Sequence, residues 1–235
     1  MLYYRILFNP RRLILGIAKY IDYTLLKADA TSLDIKELCK EAIEYGCASV
    51  CVNSVNVPLV AECLKDSKVK VCSVVGFPLG AMDGSMKAKE AQWAVRHGAN
   101  EIDMVINIGA LKDKKNSVVR KEIAKIKKAI GEDVVLKVII ETCLLTDAEK
   151  VTACQLALDA KADFVKTSTG FSKGGATVED VTLMSETVGK NMSVKASGGI
   201  RTLKDANELL AAGASRLGCG RDGAKAIIEA ESAEA

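Results

Sequence analysis

Past residue 18 the chain alternates, with a steady beat, between short β-rich runs and amphipathic stretches with helical spacing. The β-rich runs read YIDYT, ASVCVN, VKVCSVVGF, EIDMVIN, VVLKVIIET, ADFVKTS, MSVKAS and SRLGCG. Between them lie stretches such as SLDIKELCKEAIEYG, SMKAKEAQWAVRHG and TLKDANELLAAG, each running into a glycine as a helix C-terminus often does. Several of the strands are almost wholly apolar, which suits parallel strands covered on both faces. Eight such strands and about eight helices in 235 residues predict a single (β/α)8 barrel. An open doubly wound sheet is the alternative, but no G-x-G-x-x-G follows the first strand.

No Pro- or Ser-rich linker divides the chain, so the expected organisation is an N-terminal arm over 1–17 and one catalytic barrel over 18–235. Arg5, Pro10, Arg11 and Arg12 interrupt the apolar run a signal peptide would need, and nothing approaches the ~20 apolar residues of a membrane span. The net charge of +3 is spread among interspersed acids and bases, which leaves no footprint for nucleic acid. Eight cysteines without a C-x-x-C pair read as reduced thiols used as small hydrophobes, and so as a cytoplasmic protein. The single histidine, His97, ends a helical stretch and reads as structural. Zinc hydrolysis and Ser-His-Asp chemistry therefore fall away, and no metal is expected.

In a barrel of this kind the active site gathers at the C-terminal ends of the strands. The polar residues there are Asp22, Cys51, Asn53, Asp103, Asn107, Lys137, Glu141, Lys166, Thr167, Lys195 and Ser197. Structural readings exist for several: Lys137 could pair with Glu141 inside the barrel, and Asp22 could cap a loop. Lys166, in FVKTSTGF, and Lys195, in VKASGG, stand out because a charge at the end of a buried strand is costly. Burial and a neighbouring ammonium both favour the neutral amine, the form that attacks a carbonyl. Lys166 is thus the candidate nucleophile, Lys195 the neighbouring charge and Asp103 the proton shuttle of a Schiff-base mechanism without cofactor. KASGGIRT and GCGRDG follow the seventh and eighth strands, where loops of this fold often bind phosphate through backbone amides.

EIDMVINIGAL, LKVIIETC, FVKTSTGFSKGGATVEDV, VKASGGIRT and VVGFPLGA together resemble the deoxyribose-phosphate aldolase family, from about Tyr20 to the last helix. The resemblance implies a metal-free class I aldolase that reversibly cleaves 2-deoxy-D-ribose 5-phosphate to acetaldehyde and D-glyceraldehyde 3-phosphate. It assigns the Schiff base to Lys166, its tuning to Lys195 and the proton shuttle to Asp103. It also implies that Asp22 reads a substrate hydroxyl and that Cys51 lies near the pocket. Thr169, Gly170, Gly198, Gly199 and Gly218 correspond to the phosphate loops, and a homodimer or higher homo-oligomer is expected.

The chain departs from the family pattern in two places. GCGRDG stands where GTSSG is common, so Gly220 and Arg221 occupy the serine positions. Arg221 either grips the phosphate as a charged fork or crowds the pocket, and an inward Asp222 would repel the phosphate. Tyr23 stands where a histidine is frequent. The alternatives to a phosphosugar aldolase are a non-catalytic sugar-phosphate binder, an aldolase preferring unphosphorylated aldehydes, and a pyridoxal-phosphate enzyme.

Overall fold

A computed structural model of the chain describes residues 16–234. Its eight strands are β1 (Ile21–Leu25), β2 (Ser49–Val52), β3 (Lys70–Val75), β4 (Glu101–Val105), β5 (Val135–Ile139), β6 (Phe164–Lys166), β7 (Ser193–Ser197) and β8 (Arg216–Gly220). All neighbours pair in parallel, in chain order, and β8 closes onto β1. This is the predicted (β/α)8 barrel, with seven strands inside the runs the sequence marks and β1 running one residue past YIDYT, to Leu25. The helices around it are α1 (Ser32–Tyr45), α2 (Val57–Leu64), α3 (Gly84–Arg96), α4 (Ile108–Lys112), α5 (Asn116–Ile130), α6 (Asp147–Asp159), α7 (Val178–Val188), α8 (Leu203–Ala211) and α9 (Arg221–Glu234). The five-residue α4 is an extra turn after β4, which the hydrophobic pattern alone does not separate from α5.

Local chemistry sets the helix ends. Thr31, Thr146 and Thr202 open α1, α6 and α8 with reciprocal capping boxes to Asp34, Glu149 and Asp205. Helix α1 closes on Gly46, whose φ of 71° is the left-handed conformation that a side chain resists. At the end of α3, the His97 ring stacks on Trp93 and lies 2.7 Å from its carbonyl, so this histidine serves the helix terminus. Apolar faces such as Ile35, Leu38 and Ala42 of α1 close over the outer faces of the strands.

The expected arm at 1–17 falls almost wholly outside the described residues. At residue 17 the chain is already packed: Ile17 is buried, and its backbone N–H donates to the Glu231 carboxylate of α9.

One buried ion pair braces the outside of the barrel. Lys87 of α3 meets Glu122 of α5 at 3.0 Å and donates to the Val105 carbonyl at 2.8 Å. Glu122 in turn accepts from the Asn107 N–H, so the pair fixes the turn leaving β4. Removing one partner leaves the other charge buried without compensation. Glu122→Ala should therefore destabilise the fold by about 3–5 kcal/mol in urea unfolding. A loss below about 1 kcal/mol would show the pair to be dispensable.

Candidate active site

The strands bring five ionised side chains from five strands to one carboxylate-centred cluster inside the barrel. Asp103 of β4 accepts from Lys137 of β5 at 2.8 Å on one oxygen. Its other oxygen accepts from both Lys166 of β6 at 2.8 Å and Lys195 of β7 at 2.7 Å. Lys166 and Lys195 are direct partners in the β6–β7 register, which is why two ammonium groups can share one oxygen. Asp22 of β1 forms the second anion: it receives Lys195, Ser49 at 2.7 Å and Arg216 at 2.7 Å. Lys137 also pairs with Glu101, and Arg216 bridges Glu101 to Asp22.

The electrostatics follow from these contacts. Burial would raise the Asp103 carboxyl, but Lys137, Lys166 and Lys195 more than offset this and hold it well below the usual carboxylate range. Asp22 is likewise held far down by Lys137, Lys195 and Arg216 against the opposing effect of burial. For Lys195, burial alone would depress the ammonium. Asp103 and Asp22 outweigh it and keep the charge firmly in place, and Lys137 is held protonated in the same way. Lys195 is thus a permanent positive neighbour of Lys166.

A cavity of about 620 Å³ opens at the C-terminal end of the strands. Of the cluster just described, Lys166 alone contributes to its lining. Lys137, Lys195, Asp22 and Asp103 are fully buried beneath it. Thr169, Gly170, Gly198, Gly199, Gly218 and Gly220 also line the cavity, so the Gly-rich segments come together at its outer part. Gly198 and Gly199 have φ of 86° and 80°, and a Cβ on Gly199 would project into open space. Gly218 serves a different need, since a Cβ there would lie 2.6 Å from Ser197 Cβ and 3.0 Å from Lys195 Cε. Its missing side chain is the room in which Lys195 lies.

Other predicted site residues have partners of their own. The Thr169 hydroxyl donates to Glu141 at 2.5 Å, and Glu141, at φ 56°, organises the loop after β6. The suggested Lys137–Glu141 pair does not form, because Lys137 turns to Asp103 and Glu101. Asp22 does not reach the cavity; protein donors fill its carboxylate, and it neither caps a loop nor meets the open space. Cys51 is also closed off, in a small cluster with Cys72 and Val74 beneath Leu26 and Phe77. A hydrogen bond from Cys72 lowers the Cys51 thiol, while burial pushes Cys72 up. Arg221 and Asp222 both line the cavity, but the Arg221 guanidinium is bound to Glu37 and Glu41 of α1.

Sequence reasoning passed over Glu101 and Arg216, which sit at the start of their strands, away from the end searched for chemistry. It also passed over Lys27 and Arg201, two cations that line the outer cavity. Their position after β1 and after KASGG was the available signal.

Residues 17–225 match the DeoC/LacD family aldolase. The chain belongs to that family. It is 59% identical over 205 residues to the deoxyribose-phosphate aldolase of Carboxydothermus hydrogenoformans, covering 86% of this chain and 90% of the relative. The deoxyribose-phosphate aldolase of Bacillus cereus is 54% identical over 219 residues, or 93% of this chain and 98% of that protein. Among solved structures, the aldolase QR15 superposes with a TM-score of 0.88 at 40% identity, covering 94% and 98% of the two chains. A tetrameric deoxyribose phosphate aldolase from Aeropyrum pernix gives 0.85 at 33%, covering 93% and 92%.

The buried cluster makes stability depend on pH at both extremes. Asp22 and Asp103 are depressed on folding, so their contribution is complete above about pH 4 and is lost as the pH falls below it. Lys137 and Lys195 are raised, so theirs is complete below about pH 10 and is lost as the pH climbs beyond it. Urea midpoints should be level between those limits, and Asp22→Asn should flatten the acid limb. An acid limb of unchanged steepness in that variant would contradict the assignment.

Proposed function

We infer that this protein is a class I deoxyribose-phosphate aldolase, cleaving 2-deoxy-D-ribose 5-phosphate to acetaldehyde and D-glyceraldehyde 3-phosphate through an imine on Lys166. The observation that carries the reading is that Lys166, alone in a cluster of buried charges, faces the cavity. A nucleophile has to meet substrate, whereas the groups that tune it do not.

The Lys166 amine adds to the C1 aldehyde of the open-chain sugar to give a carbinolamine, which loses water to form an iminium. Electrons of the C2–C3 bond flow into that iminium as the C3 hydroxyl loses its proton, releasing glyceraldehyde 3-phosphate and leaving an enamine. Protonation at C2 and hydrolysis then return acetaldehyde and the free amine, so the water lost is recovered. Asp103 is the proton carrier nearest the nitrogen, at 2.8 Å. Three ammonium groups keep it ionised at rest. When Lys166 passes through the neutral carbinolamine, one of those charges is gone and Asp103 gains proton affinity at the step that needs it. Lys195, held charged between Asp103 and Asp22, fixes the carboxylate that faces the nucleophile. At the far end of the cavity, the Gly198–Gly199 backbone and the cations of Lys27 and Arg201 suit the phosphate.

A homo-oligomer in the cytoplasm completes the reading. The Aeropyrum relative is a tetramer, and Leu79, Met82, Met86 and Trp93 leave apolar surface exposed near α3. No helix among the described residues is long and apolar enough to cross a membrane, and all eight cysteines are free.

Turnover of deoxyribose 5-phosphate, followed by coupled reduction of the released glyceraldehyde 3-phosphate, tests the activity. Lys166→Ala should lower kcat by at least ~10³-fold while the protein stays folded, because Lys137 and Lys195 still neutralise Asp103. A folded variant that keeps more than a tenth of the activity would remove Lys166 from its role. Lys195→Leu should lower kcat at least ~10²-fold, because it removes one of the groups that hold Asp103 ionised and in place beside Lys166. A folded variant with wild-type kcat would contradict that role.

A further inference from the structure

Tyr23 and Arg221, two of the three residues that depart from the family pattern, end on the same carboxylate. Arg221 forks onto Glu41, with Nε at 2.7 Å from one oxygen and Nη2 at 2.9 Å from the other, and Nη2 also reaches Glu37 at 3.0 Å. The buried Tyr23 hydroxyl donates to Glu41 at 2.9 Å, on the oxygen that receives Arg221 Nε. Strand β1, helix α1 and the first residue of α9 are thereby joined through one anion. We propose that Arg221 is a positioning residue of the phosphate end of the cavity: tied to Glu41, it fixes the β8–α9 turn and does not itself bind the phosphate.

Three observations support this. First, one guanidinium faces two carboxylates, so no positive charge is left over for a substrate anion. The hydrogen bond to Glu41 is the largest of the effects that hold Arg221 charged, and the same bond depresses Glu41. Second, the turn is closely fitted where it meets the opposite loop. A Cβ on Gly223 would lie 3.0 Å from the Ile200 carbonyl, so a small rotation at the start of α9 carries over to the Gly198–Arg201 loop. Third, Gly220 has no Cβ contact within 4 Å and gives the turn no anchor of its own. The turn is held instead from outside, through the fork of Arg221 onto Glu41 of α1. The ionic fork is bidentate and planar, a geometry that fixes direction as well as distance.

The inference rests on the phosphosugar reading, and its test separates the two. Wild type, Arg221→Ala, Arg221→Lys and Glu41→Ala are compared on deoxyribose 5-phosphate and on deoxyribose. The rise in unfolding midpoint with inorganic phosphate is measured alongside. A positioning role predicts that both alanine variants lower the ratio of kcat/KM for the phosphorylated over the free sugar by about tenfold, mostly through KM, the effect of one charge-assisted hydrogen bond misplaced. Both should also lose phosphate stabilisation, and Arg221→Lys should recover part of each. A direct phosphate ligand predicts the opposite sign for Glu41→Ala, since releasing Arg221 would then tighten phosphate. That result, or an Arg221→Ala variant with the wild-type ratio and wild-type phosphate response, overturns the proposal. Wild type that fails to turn over either sugar would count against the aldolase reading alone, while the phosphate response still decides the role of Arg221.

Discussion

Asp103 is a carboxylate sealed from water and shared by three lysines, and the rest of the molecule is arranged around keeping it so. An isolated buried carboxylate would be prohibitively costly, and so would three buried ammonium groups without it. The pairing works only if β4, β5, β6 and β7 stay in one register, because each contributes one of the four groups. A one-residue slip of any strand would turn its charge out of the barrel. The chemistry and the register of the fold are therefore specified by the same contacts. The outer brace of Lys87 and Glu122 and the capped helix ends hold that register from outside.

The cluster is not symmetric: one of its lysines opens to the cavity and the other two do not. Lys137 and Lys195 each have at least two carboxylates and no opening to the cavity. Lys166 has Asp103 alone, in common with both of the others, and faces the open space. Gly218 completes this division by leaving Lys195 room beneath the cavity floor. The amine proposed as nucleophile and the amine proposed to tune it are thus distinguished by position, although they are the same residue type on adjacent strands.

Most of the barrel could be read from the sequence, because eight apolar runs separated by glycine-terminated helical patterns admit few other arrangements. Lys166, Lys195 and Asp103 could be picked out because each puts a charge into an apolar strand, and the structure brings them within one hydrogen-bond shell. Lys137 was equally visible in the sequence but pointed to the wrong partner, since Glu141 is near in sequence while Glu101 and Asp103 are near only across the sheet. Arg216 and Glu101 were missed because they begin their strands and belong to the barrel interior below the site. Arg221 shows the limit most clearly: a basic residue in a phosphate loop suggests a ligand, and only the packing of α1 against α9 shows which anion holds it.

The most direct test is to trap the intermediate: incubation with deoxyribose 5-phosphate, reduction with borohydride and peptide mass mapping. The account predicts one reduced adduct, on Lys166, and none on the sealed Lys137 or Lys195. An adduct on Lys195 would reverse the roles of the two amines, and a folded protein that binds the substrate yet yields no adduct on any lysine would contradict the imine mechanism itself.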